Sequence, residues 1–193
     1  MNQVSRHAVR AIRADEWPEV KKLRLLALQD PAAPIAFLDT YEQAAAQPDS
    51  FWQERAKGAA GGPPVRQFVT EGPDGTWSGT VTVLVEDAGS DDVFGGTIEQ
   101  RQAHLVGVFV RAEHRGSGLI DALFEAAIDW AWSAADVARV RLYVHEDNAR
   151  AESFYRRYGF VRSGKTAPMK GDPSKREREM VLDGPEARPG ASD

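Results

Sequence analysis

Apolar and polar positions alternate weakly from His7 to Ile12, which predicts a first strand. The spacing then lengthens. Trp17, Val20, Leu23, Ala27 and Leu28 recur near a helical period, with Asp15 as N-cap and Pro18 in the first turn. This helix stops before Asp30-Pro31. Residues 31–48 read as irregular, apart from one short helix at Thr40–Ala46. Asp49 or Ser50 caps a second long helix, Phe51–Ala59. Gly58 to Pro64 breaks the chain. Val65–Thr70 and Trp77–Glu86 follow as strands around the turn Pro73-Asp74-Gly75. Residues 87–100 read as a polar loop, and Ala103–Val110 as a strand.

The second half changes rhythm. Leu119, Leu123, Phe124, Ala127, Ile128 and Ala131 mark a long helix, Arg139–His145 a strand, and Asn148–Tyr158 a helix closed by Gly159. Phe160–Ser163 and Glu179–Leu182 read as short strands joined by the polar loop KTAPMKGDPSKRER. The tail DGPEARPGASD reads as disordered. Neither an internal repeat nor an interdomain linker is visible, so residues 1–182 are expected to form one mixed α/β domain, with 183–193 as a tail.

Two segments carry candidate chemistry. After the apolar strand Val106–Val110 comes Arg115-Gly116-Ser117-Gly118, and then a helix begins at Leu119. A Gly-containing turn at a helix start offers unpaired backbone N–H groups at the positive end of the dipole, which suits phosphate. A literal match to a nucleotide-hydrolysis loop, Gly159–Thr166, does not survive its context. A helix precedes it, and Ala167-Pro168 follows where a helix would have to run. The other segment is Asn148-x-x-Ala151-x-x-Phe154-Tyr155-x-x-x-Gly159-Phe160. Taken alone, Tyr155 reads as a half-buried core aromatic.

Together, in this order and spacing, the two segments resemble the GNAT superfamily of N-acetyltransferases, most closely over about residues 103–163. The resemblance implies a single mixed, mostly antiparallel sheet flanked by helices and splayed between strands four and five, with acetyl-CoA lying in the V. Carried over, backbone groups of Val108, Phe109 and Val110 would hold the pantetheine arm and polarise the thioester carbonyl. Arg115, Gly116, Ser117, Gly118, Leu119, Ile120 and Asp121 would hold the pyrophosphate, and Asn148 would contact the coenzyme. Tyr155 would sit near the sulfur and protonate the leaving thiolate. The resemblance implies acetyl transfer to a primary amine of a small molecule or protein by direct attack in a ternary complex. Self-association as a homodimer is also compatible with it.

The chain departs from the family in two places. Ile120 fills a position usually held by a small residue, and its amide can still bind phosphate. No carboxylate lies within strands four or five, where many members carry a glutamate, so the base stays open among His104, His145, Glu146 and an acid from residues 39–42 acting through water, or the amine arrives already neutral. The missing carboxylate keeps a non-catalytic acyl-CoA-binding or regulatory module as the alternative.

Composition narrows the chemistry further. With no cysteine among the 193 residues, disulfides, Cys-ligated metals and a thiol nucleophile are excluded. Direct transfer from a thioester needs none of these, and no metal is expected. No apolar run is long enough to span a membrane, and the N-terminus lacks an apolar signal core, so a cytoplasmic protein is expected. The net charge of −5 is uneven. Residues 39–99 hold 3 basic and 11 acidic side chains, whereas residues 100–179 hold 14 and 11. The basic half would suit an anionic coenzyme, and Asp39 and Glu42 would suit a cationic amine. The cluster from Arg156 to Arg178 is broken by Asp172 and Glu177 in an acidic chain, so a nucleic-acid partner is not expected.

Overall fold

Seven strands build one sheet in the order β1-β2-β3-β4-β5-β7-β6. The structure is a computed structural model that describes residues 7–184. The strands are β1 (Ala8–Ala11), β2 (Val65–Glu71), β3 (Trp77–Glu86), β4 (Gln102–Val110), β5 (Arg139–His145), β6 (Val161–Met169) and β7 (Asp172–Asp183). The helices are α1 (Trp17–Leu28), α2 (Tyr41–Ala45), α3 (Asp49–Ala60), α4 (Leu119–Ser133) and α5 (Ala149–Tyr158). Every strand pair is antiparallel except β4–β5. The mixed sheet expected from sequence is therefore present.

Each helix forms where its apolar stripe can be buried. Leu119, Leu123, Phe124, Ala127, Ile128 and Ala131 of α4 pack with Phe154 and Tyr155 of α5 on one face of the sheet, against Val81, Leu105, Val140 and Leu142. On the other face, Val20, Leu23 and Ala27 of α1 and Trp52 and Ala56 of α3 cover Ile12, Val69 and Trp77. The short α2 is held by its ends. Thr40 accepts from the Gln43 N–H, and the Gln43 side chain accepts from the Thr40 N–H. Two of the expected caps move. Glu16 rather than Asp15 precedes α1, and Pro48 precedes α3, so that Asp49 lies in the first turn.

The two parallel strands register at only Ala103↔Val140 and His104↔Arg141. Beyond these pairs they diverge into a V. The closed end is pinned by buried charge. The Arg141 guanidinium, on β5, reaches Glu86 on β3 (2.8 and 2.9 Å), Glu179 on β7 (2.9 Å) and Asp92 in the 87–101 loop (3.3 Å). That loop also places Phe94 edge-on against Tyr143, with ring centroids 4.6 Å apart. The loop thus folds over the sheet face that α1 and α3 leave bare.

The C-terminal region differs from expectation. Residues 161–183 form one long hairpin rather than two short strands joined by a loop, with the turn at Lys170-Gly171 (Gly171 φ +92°). β6 is an exposed edge strand, so it needs no apolar alternation to form. It gains its ladder from β7. Gly164, inside the phosphate-loop look-alike, has φ +90° and sits in a bulge between Arg162↔Met180 and Thr166↔Arg178. This segment is sheet edge and offers no helix start. Of the anticipated tail, Asp183 ends β7, and residues 185–193 lie outside the described residues.

Candidate active site

A cleft of about 1230 Å³ opens along the V between β4 and β5. It runs from the N-terminus of α4, past Asn148 and Tyr155, to the 30–39 segment and Phe94 on the opposite face. All residues expected to handle the coenzyme line it except Ser117, which lies between two that do.

The β4 wall is irregular where the V opens. Thr80 pairs with Phe109 and Thr82 with Val106, so Val81 alone opposes Gly107 and Val108. Gly107 takes φ +63°, a left-handed conformation that suits glycine at a bulge. The bulge interrupts the ladder and frees backbone groups at the level of Val108. The Val110 carbonyl accepts from the Arg115 Nε (3.1 Å), and the Phe109 carbonyl turns toward β3 and Gly79.

The turn into α4 presents unpaired amides of the kind that suit an anion. Gly118, the N-cap, has φ +89° and no side chain to satisfy the first amides. Ala122 is the first α4 residue to donate into the helix, to Gly118 (3.2 Å), so the N–H groups of Leu119, Ile120 and Asp121 have no intrahelical partner. A side chain atom at Gly116 would meet nothing within 4 Å, so the backbone faces open space there. Ser117 donates to the His114 carbonyl (2.5 Å) and fixes the turn. Arg115 is held by Asp30, at the end of α1. Ile120 rests partly buried against the core while it also lines the cleft.

On the other wall, Asn148 caps α5, accepting from the Ala151 N–H (3.2 Å). Seven residues on, Tyr155 is 8% exposed and stacks on Phe124 with ring centroids 5.8 Å apart. Burial, reinforced by the charge of Glu177, raises its hydroxyl well above the ordinary phenol range. Tyr155 therefore keeps its proton at any physiological pH.

The sequence candidates for the base have different surroundings. His104 is buried, and its Nδ1 faces Glu86 Oε1 at 3.1 Å. Burial alone would raise Glu86, but hydrogen bonds from His104 and Arg141 outweigh it and hold the carboxyl at about 2. His145 is buried and accepts the Asp147 N–H on Nδ1 (3.1 Å). Glu146 is turned to the Arg176 N–H (3.0 Å), and Asp39 is ion-paired with Arg24. Glu177, expected in the polar loop 165–178, lies instead on β7. Its signal is the strand alternation itself, with Glu177 and Glu179 on one face and Arg176 and Arg178 on the other. It lines the cleft and has neither a hydrogen-bond nor an ion-pair partner among the described residues.

Residues 17–160 match the acetyltransferase (GNAT) family model. The chain belongs to the GNAT acetyltransferase family. No curated protein sequence matches it. Solved structures share the GNAT fold. An acetyltransferase of the family from Streptococcus pneumoniae has a TM-score of 0.71 at 16% identity, covering 92% of this chain and 99% of its own. A spermidine/spermine N-acetyltransferase from Vibrio cholerae gives 0.63 at 17%, covering 93% and 94%. Arabidopsis thaliana NAA60, solved with a bisubstrate analogue, gives 0.64 at 16%, covering 92% and 97%. GNAT acetyltransferases use acetyl-CoA as donor, and the unpaired α4 amides and open bulge of this chain fit such a ligand. Among the described residues no group of acidic or histidine side chains is arranged to hold a metal, and no helix is long and apolar enough to cross a membrane.

Proposed function

We propose that this GNAT protein is an N-acetyltransferase that moves acetyl from acetyl-CoA to a primary amine, on a small molecule or a protein, by direct transfer in a ternary complex. One observation carries the reading. The bulged β4 backbone, the uncapped N-terminus of α4 and a buried tyrosine converge on one cleft between splayed parallel strands. Arg115 and the amides from Gly116 to Asp121 hold the diphosphate. Val108, Phe109 and Val110 form the wall along the pantetheine arm, Asn148 contacts the coenzyme, and freed strand N–H groups steady the carbonyl oxygen as it gains charge. Tyr155 protonates the leaving sulfur. The desolvation that keeps its phenol loaded also raises the proton affinity of a thiolate beside it. The amine acceptor named for one of the fold's neighbours, the spermidine/spermine N-acetyltransferase, supports the same acceptor class.

Acetyl-CoA turnover over a panel of amines, with wild type against Tyr155→Phe, tests this. The variant is expected to lose about 100-fold in kcat with an unchanged KM for acetyl-CoA. Equal rates for both proteins remove Tyr155 from the mechanism. Tight coenzyme binding without turnover of any amine would assign the chain to the non-catalytic acyl-CoA-binding module instead.

A further inference from the structure

Glu177 is 8% exposed, lines the cleft and has no counter-ion among the described residues. The other buried carboxylates beside the V are occupied, Glu86 and Glu179 by Arg141 and Glu152 by Arg162 and Arg178. From β5 Glu177 faces His145, from α5 Tyr155 and from β6 the uncharged Ala167, while Lys170 lines the cleft from the hairpin turn.

Strand register fixes its height in the V. His145, the cross-strand partner of Glu177, lies four residues beyond Arg141, and Val108 lies four residues beyond His104. Because His104 and Arg141 are themselves paired, Glu177 stands across the open V level with the bulge, within the one residue that the bulge absorbs. His104 lies at the closed end, about 13 Å down the strand.

The two histidines are less suited to receive a proton there. The Asp147 N–H donates to Nδ1 of His145, so the neutral ring carries its proton on Nε2 and has no free lone pair. His104 donates Nδ1–H to Glu86, which leaves Nε2 basic but at the wrong level.

We propose that Glu177 is the general base that takes the proton of the acceptor ammonium. The assignment rests on the N-acetyltransferase reading above and supplies the proton acceptor that strands four and five lack. Two protons leave the nitrogen in the whole reaction. The first passes to the Glu177 carboxylate and frees the lone pair. The N–C bond then forms, the C–S bond breaks, and sulfur takes the Tyr155 proton. The second nitrogen proton restores Tyr155 through water, and Glu177 returns the first to solvent. An unpaired carboxylate also attracts the cationic amine into the cleft. Burial pushes its carboxyl up to about 7, which matches a base that must be reloaded near neutrality.

Glu177→Gln keeps the shape and removes the base. It is expected to bind CoA with unchanged affinity and to lose about 100-fold in kcat/KM. The fall in wild-type rate below about pH 7 should vanish, leaving a slow rate that follows the amine's own ionisation. Glu177→Asp should keep an acid limb. Apart from turnover, infrared titration of the coenzyme-free protein should show one carboxyl ionising near neutrality that is missing in Glu177→Gln. An active wild type beside a Glu177→Gln variant of equal kcat/KM and equal pH profile overturns the assignment alone. A wild type that binds CoA but acetylates no amine overturns the transferase reading and this assignment with it.

Discussion

A base held ready in a desolvated cleft has a cost in stability, and that cost is measurable without any substrate. The ordinary carboxyl value of 4.5 rises to about 7 at Glu177 because burial disfavours the anion. Below 4.5 the side chain is protonated in both folded and unfolded chains and contributes nothing. Between 4.5 and 7 the folded chain holds a proton that the unfolded chain has released, so stability falls as pH rises through this window. Above about 7 the penalty is complete. A rise from 4.5 to about 7 corresponds to up to about 3 kcal/mol, at about 1.4 kcal/mol per unit. Glutamine carries no such penalty. Urea unfolding of wild type and Glu177→Gln should therefore coincide near pH 4 and separate by up to about 3 kcal/mol at about pH 8, with the variant more stable. A difference that is the same at both pH values would refute the reasoning, because it would mean that the Glu177 anion is solvated or paired in the folded protein.

Glu86 should act in the opposite direction. Its carboxyl is held at about 2, so the stability it provides is complete above 4.5 and is lost as pH falls from there toward 2. Glu86→Gln should flatten that part of the acid unfolding curve, and an unchanged curve would argue against the His104–Glu86–Arg141 contacts. Arg141→Met should cost about 3–5 kcal/mol in denaturant unfolding, because it strands Glu86, Asp92 and Glu179 without a counter-ion. Gly79→Ala should cost about 1–3 kcal/mol, since the new Cβ would meet the Phe109 carbonyl at 3.0 Å and Leu123 at 3.1 Å behind the cleft wall.

Legibility from sequence followed burial. Strands β1 to β5 and helices α1, α3, α4 and α5 could be placed because each has an apolar stripe facing one of two cores. The cradle and Tyr155 could be placed because a glycine turn and a helix-borne aromatic leave local signatures. The β6–β7 hairpin is legible only at its outer ends, 160–163 and 179–182, and its middle leaves no such signature. β6 is solvent-exposed along most of its length, and β7 buries Glu177 and Glu179 beside Met180 and Val181, so charge interrupts its apolar pattern. Its strands are specified by pairing across a turn, which no window of polar residues records. The same blindness hid the long-range part of the charge pattern. Asp92 looked like one acid in a polar loop, yet it reaches Arg141, 49 residues away. Part of the basic excess in the second half is spent on acids of the first, as in Arg115–Asp30 and Arg141–Glu86.

The parallel strands share only two registered pairs, and this has a thermodynamic consequence. β1 to β4 and β5 to β7 form a seam closed at one end, with the missing rungs left for a ligand to supply. On the proposed reading the coenzyme completes the sheet, so it should act as a structural tie as well as a reactant. Saturation at about 100 times Kd would add about 2.7 kcal/mol to unfolding by mass action. Amides of Val108 and Val110 should pass from fast to slow hydrogen exchange while the core of α4 stays unchanged.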